Sequence, residues 1–169
     1  ALHLRIGPAD GEGNRPLGVH SRAADAHPDR PWTLHADGIL ATGTRTAPAD
    51  PALFTAWPPP GADPLPVEDT YDRLAAAGFG YGPLFQGLRA AWSLDGDVYA
   101  ETVLPEQAHA DTPGYGLHPA LLDAALHATA YLLDDSVSGR MPYSWRDVSL
   151  HATGATALRV RLSARGTDA

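Results

Sequence analysis

The chain has 169 residues, with 17 Gly, 16 Pro and no Cys, and a formal net charge of −8 at pH 7. The missing Cys rules out disulfides, thiolate metal sites and a cysteine nucleophile. The acidic balance opposes a nucleic-acid binder that tracks phosphates, and no apolar run approaches the roughly 18 residues of a membrane span. All 12 basic residues are Arg and 30 residues are Ala, a skew that reads as the codon usage of a GC-rich bacterium. The chain begins at Ala1 with nothing resembling a signal peptide, so it is expected to be a piece of a longer, cytoplasmic protein.

Residues 1–46 read as strands and loops. Leu2 to Ile6, Leu17 to Ser21 and Trp32 to Thr44 are predicted strands. Gly7 to Pro16 is a loop turning at Asp10-Gly11, and the Pro-broken stretch Asp25 to Pro31 is no strand. Residues 47–66 carry seven prolines, which exclude a helix or central strand and give an extended linker. Phe54 and Trp57 within it are expected to lie against a surface. Val67, Tyr71 and Leu74 then fall on one face of a short helix closed by Gly78. Residues 78–87 form a loop dense in Gly and aromatics.

Leu88 to Leu94 and Val98 to Leu104 form a hairpin turning at Asp95-Gly96. Thr112 to Gly116 is a turn. Pro119 to Leu133 is the longest predicted helix, with Pro in its first turn. Met141 to Leu150 and Ala157 to Ala164 are predicted strands. The second alternates Leu158, Val160 and Leu162 with Arg159 and Arg161. With Arg165 these form either a solvated face or a surface for an acidic partner. A long helix between strands of an antiparallel sheet gives an α+β layout.

On the long helix, Leu121, Leu122, Ala125, Leu126, Leu132 and Leu133 share one wide face. Asp123 and His127 stand at i, i+4 on the other side, with Tyr131 a further step around. On spacing the pair reads first as a solvated surface contact, worth roughly a few tenths of a kcal/mol, and second as a carboxyl and an imidazole aimed into a pocket. The surrounding Ala124, Ala128 and Ala130 are small and uncharged, unlike an ordinary solvent face.

Three stretches together carry a resemblance. They are Gly80-Tyr81-Gly82-Pro83-Leu84-Phe85-Gln86-Gly87, then Leu117-His118-Pro119 leading to Asp123 and His127, then Met141-Pro142-Tyr143-Ser144-Trp145. In that order they resemble the dehydratase domain of a bacterial modular polyketide synthase. Val19-His20-Ser21-Arg22 and Trp32 to Gly38 resemble the middle of the same domain.

The resemblance implies a double hotdog, in which each antiparallel sheet wraps a long central helix. Residues 1–46 would be the last strands of the first hotdog, 47–66 the linker, and 67–169 the second hotdog. The implied reaction removes water from a β-hydroxyacyl thioester carried on the phosphopantetheine of acyl carrier protein, with no resident cofactor and no metal. Asp123 would be the acid, with His127 and Tyr81 beside it. Gly82, Pro83, Phe85, Leu117, His118, Pro119, Leu122, Pro142 and Trp145 would bind substrate, His118 also ordering the helix start. Implied partners are the carrier protein, the other synthase domains, the N-terminal half of the dehydratase and, in the intact synthase, a second copy. Neither nucleic acid nor membrane is implied.

The family's catalytic base lies in a His-x-x-x-Gly-x-x-x-x-Pro motif. Here His3 and Gly7 keep the first spacing, but Glu12 stands where Pro belongs. The base is therefore expected upstream of Ala1, and the chain is expected to be inactive alone. A degenerate dehydratase acting as an acyl-binding scaffold, a double-bond isomerase and a pyran-forming cyclase are the alternatives. No His-Glu-x-x-His motif points to a metal, and the 78–87 loop lacks the Lys-Ser/Thr ending of a phosphate cradle.

Overall fold

Alternating apolar residues and tight turns organise the chain into two antiparallel sheets, described in a computed structural model at residues 1–27, 29–42, 54–132 and 142–164. Two compact units divide the chain, Ala1–Thr46 and Ala47–Ala169.

The first unit holds β1 (Leu2–Ile6), β2 (Arg15–Ser21) and β3 (Thr33–Leu40), with β2 in the centre. Leu4 lies opposite Val19, and Leu17 opposite Gly38. The β1–β2 loop is tied by Asp10, whose carboxylate accepts from the backbone N–H groups of Glu12 (2.9 Å) and Asn14 (2.8 Å). This is the local bonding that makes Asp a turn former. β2 starts at Arg15, earlier than predicted. Pro16 is accommodated next to the strand's first residue, and its carbonyl accepts from Gly7 N–H at 2.8 Å. β3 ends at Leu40, and Thr44 lies outside the described residues.

The second unit holds β4 (Asp63–Leu65), α1 (Thr70–Ala76), β5 (Leu88–Leu94), β6 (Asp97–Val103), α2 (Pro119–His127) and β7 (Ala157–Ser163). The sheet order is β4-β5-β6-β7, antiparallel throughout. The predicted hairpin forms: Asp95 (φ 52°) and Gly96 (φ 82°) both take left-handed backbone, as a twist-matched two-residue turn demands. Helix α1 ends as its Gly predicts. With Gly78 at φ 95°, Gly78 N–H bonds Ala75 O and Phe79 N–H bonds Leu74 O, a Schellman cap.

Helix α2 lies on one face of the sheet, against β6 above all. Its buried residues are Ala120, Leu121, Ala124, Ala125 and His127. This corrects the predicted face: Leu122 is 38% exposed, whereas Ala124 and Ala128 are fully buried. Small side chains let the helix approach the sheet closely, so Ala120, Ala124, Ala125 and Ala128 turn inward with Leu121 while Leu122 turns out. One core cluster joins Leu88, Ala91, Val98, Ala100 and Ala128; a second joins Leu104, Ala108, Ala120 and Leu121. The sheet's outer face is covered from within the linker. The Trp57 ring meets Trp92 and Tyr99 edge-on, with centroids 6.0 and 5.9 Å away. Arg159 donates to Phe54 O at 2.8 Å and lays its guanidinium over Trp57.

Four further predictions change. Pro64 belongs to β4, an edge strand, the place where Pro is tolerated. Glu106–Gly114 forms a 3₁₀ helix where only a turn was expected at its end. The long helix is α-helical only to His127, then 3₁₀ over Ala128–Tyr131, where Thr129 Oγ1 donates to Leu126 O at 2.6 Å; Leu133 lies outside the described residues. The predicted strand Met141 to Leu150 does not form over its described residues, 142–150. Asp147 there takes a left-handed φ of 54°, which breaks an extended run. The Arg face stays exposed, as a solvated strand face does, with Arg159 donating to Phe54 O at 2.8 Å and Arg161 to the Asp97 carboxylate at 2.7 Å. Arg165 lies outside the described residues.

Candidate active site

The site is built on α2. His118 occupies the N-cap, and its Nδ1 accepts from Ala120 N–H at 3.2 Å. Pro119 follows at the first helical position, where its missing N–H costs nothing. This start fixes the helix phase. Asp123 and His127 therefore emerge one turn apart on the same side, and His127 Nε2 lies 3.2 Å from Asp123 Oδ2. The two differ sharply in exposure: the His127 side chain is 4% exposed and the Asp123 side chain 37%.

The imidazole is buried because aromatic rings cover it. Tyr81 lies with its ring centroid 4.2 Å from that of His127, and Tyr71 meets the ring edge-on at 5.5 Å. Burial lowers the pKa of His127, and this outweighs the opposing pull of Asp123, whose charge water screens. The ring is therefore neutral near pH 7, with one nitrogen donating and one accepting. Burial, and then the neighbouring Asp123, raise the Tyr81 phenol above its ordinary range. Burial likewise raises Tyr71. The centre is thus a water-accessible carboxyl backed by three neutral rings.

The loop bearing Tyr81 is held close by Gly87. A Cβ there would lie 2.8 Å from both Ala124 Cβ and Val103 O. Gln86 Nε2 donates to Tyr81 O at 2.8 Å and braces the loop from within. Pro83–Phe85 forms a 3₁₀ turn.

The structure brings Tyr81, Asp123 and His127 together. Phe85 and Leu117 pack on the core around Leu104 and Leu121, beneath the loop and the helix start. Gly82, Pro83, Pro119 and Leu122 are exposed at the surface. His118 is buried as the helix cap, its ring 5.0 Å from Tyr115. Pro142 is exposed and Trp145 is 54% exposed. The sequence reading missed Tyr71 as a site residue. It sits on the predicted inner face of α1, and only the packing of α1 onto α2, 56 residues away, turns its hydroxyl toward His127 at 3.3 Å. Among the described residues, no group of His, Asp and Glu side chains suits a metal ion.

A hotdog sheet bearing an Asp–His pair on its helix defines a class, and comparison with known proteins makes it specific. The family described as "Polyketide synthase dehydratase N-terminal domain" matches residues 49–169. The chain belongs to the polyketide synthase dehydratase family. It is 50% identical over 171 residues to polyketide synthase GfsA of Streptomyces halstedii, covering 99% of this chain and 2% of that protein. It is 45% identical over 182 residues to the pikromycin polyketide synthase component PikAII of Streptomyces venezuelae, covering 99% of this chain and 4% of that protein. Two solved structures are similar. One is the erythromycin dehydratase, with TM-score 0.82, 38% identity, and cover of 99% of this chain and 58% of that one. The other is the bifunctional dehydratase-cyclase domain in ambruticin biosynthesis, with TM-score 0.84, 41% identity and the same cover. The fold is the α+β hotdog of those domains, and the chain spans a little over half of each.

Proposed function

We propose that this chain is the acid-bearing part of a dehydratase domain that eliminates water from a β-hydroxyacyl thioester on acyl carrier protein. The observation that carries the reading is Asp123, a water-accessible carboxyl hydrogen-bonded by a buried neutral His127 and walled by Tyr81. In the proposed reaction a base removes the proton on Cα, and that electron pair forms the Cα–Cβ double bond. The Cβ–O bond breaks, and the carboxyl proton of Asp123 passes to the departing oxygen, giving water. The α-proton is weakly acidic and hydroxide leaves poorly, so an acid and a base must flank the substrate.

The base is the part this reading places elsewhere. His127 lies on the acid's own helix and is occupied with Asp123, so it does not face the substrate from the opposite side. We assign residues 1–46 to the end of the first hotdog, 47–66 to the linker and 67–169 to the second hotdog. The base then comes from the part of the first hotdog outside these residues. The family description carries the word N-terminal; the acid helix within 67–169 is what favours the second hotdog. Carrier protein, the other synthase domains, the N-terminal half of the dehydratase and, in the intact synthase, a second copy are the partners this reading requires. The phosphopantetheine arm belongs to the substrate.

The likeness to a dehydratase-cyclase favours one second reading, dehydration followed by ring closure at the same site. Asp123→Asn in the intact dehydratase domain tests both. The amide keeps the shape and loses the transferable proton, so enoyl formation should fall at least ~100-fold. Product analysis of the unmutated domain separates an open enoyl chain from a cyclic ether. Turnover by the Asp123→Asn variant at the unmutated rate would remove Asp123 from the acid role.

A further inference from the structure

Tyr71 makes two hydrogen bonds that the proposed reaction does not explain. Its oxygen accepts from Leu88 N–H at 2.8 Å, and the same hydroxyl lies 3.3 Å from His127 Nδ1. A backbone N–H can only donate, so the phenol is the acceptor in the first contact. Its own hydrogen is then available to the second, and with a neutral imidazole Nδ1 can be the acceptor. His127 Nε2 in turn faces Asp123 Oδ2 at 3.2 Å. Only one arrangement uses every hydrogen along this line: Leu88 N–H to Tyr71 O, Tyr71 O–H to Nδ1, and Nε2–H to Oδ2.

We propose that Tyr71 is a positioning residue of this site: its hydroxyl, anchored by the Leu88 amide, donates to His127 Nδ1 and keeps the ring proton on Nε2, aimed at Asp123 Oδ2. The other tautomer would set a lone pair of Nε2 against a carboxyl oxygen. With the ring proton on Oδ2, the second oxygen of Asp123 is left for substrate. The carboxylate formed when its proton departs keeps a donor already in place, needing no reorganisation. This consequence for catalysis rests on the acid role proposed for Asp123; the tautomer itself does not. The groups facing the imidazole are Asp123 from α2, Tyr71 from α1 and Tyr81 from the following loop. Glu68 and Arg89 line a groove together with Tyr71. Burial keeps the ring uncharged near pH 7, which leaves Nδ1 free to accept.

The test is ¹H–¹⁵N long-range correlation spectroscopy on the ¹⁵N-histidine-labelled chain at pH 7, with His127 assigned through His127→Gln. The expected spectrum shows His127 protonated on Nε2, with Nδ1 shifted toward the position of a hydrogen-bonded acceptor. In Tyr71→Phe the Nδ1 resonance should move toward that of an unbonded acceptor, and the His127 titration midpoint should rise, because its lone pair is freed. Tyr131→Phe removes a hydroxyl that bonds Thr70 Oγ1, Pro66 O and Arg73; it should leave both readings unmoved. A ring proton on Nδ1 in the unmutated chain would overturn the proposal even if Tyr71→Phe failed to fold. An unchanged Nδ1 resonance and midpoint in folded Tyr71→Phe would overturn it as well. Neither reading involves turnover, so a failed acid assignment for Asp123 would be told apart from a failed tautomer assignment.

Discussion

At the scale of single residues, His127 couples the site to stability. Its pKa is lowered on folding, chiefly by burial. The unfolded chain, whose His titrates near about 6.5, therefore binds a proton before the folded one does. Stability is complete above that pH and falls as the pH drops toward the folded value. Urea unfolding should accordingly show a midpoint lower at pH 5.5 than at pH 7.5. In His127→Gln, which keeps a polar group without the titration, that part of the difference should shrink; an undiminished difference would place its cause elsewhere. The i, i+4 spacing of Asp123 and His127 was legible from sequence, and so was a choice between a solvated pair and a buried one. The structure answers with an asymmetric pair, in which the carboxyl is wet and the imidazole dry. No periodicity could reveal this, because the rings that bury His127 come from α1 and the 78–87 loop. Tyr71 shows the limit most clearly, since the same residue is an ordinary apolar-face position in the sequence and a hydrogen-bond partner of Leu88 N–H and His127 in the fold.

At the scale of elements, local chemistry was the most readable. The Asp95-Gly96 turn, the Gly78 cap and the Pro119 helix start all form where their residues demand. Gly78→Ala should cost about 1–2 kcal/mol in thermal or urea unfolding, since φ 95° disfavours any side chain. Gly87 and Gly82 make a sharper pair, because both lie in the same motif. A Cβ at Gly87 collides with Ala124 of α2 and the Val103 carbonyl, whereas one at Gly82 meets nothing within 4 Å. Gly87→Ala should destabilise the chain by about 1–3 kcal/mol and shift the helix that carries Asp123. Gly82→Ala should leave the unfolding midpoint almost unchanged. Equal effects would show that the loop does not set the helix position through Gly87. What the sequence misjudged at this scale were choices made by packing. Leu122 looked like core but was displaced by the smaller Ala124 and Ala128. The stretch 142–150 looked like a strand, yet finds no ladder partner among the described residues. Strand propensity is largely a statement about neighbours.

At the scale of the whole molecule, the chain consists of two units, and Asp123, His127, Tyr71 and Tyr81 all belong to the second. The proline-rich stretch reads as a linker in sequence and also serves as structure, because Trp57 and Arg159 close the outer face of the sheet. The family and its fold were legible because three motifs occur in order. The chain spans a little over half of each solved dehydratase described above. The proposed division of labour is a base outside these residues and an acid, Asp123, within them. It is tested most directly by supplying a β-hydroxyacyl thioester on carrier protein to the 169-residue chain, to the intact dehydratase domain that contains it, and to the intact domain carrying Asp123→Asn. Enoyl product should form with the intact domain alone. Turnover by the isolated chain at the rate of the intact domain, or undiminished turnover by the Asp123→Asn variant, would contradict it.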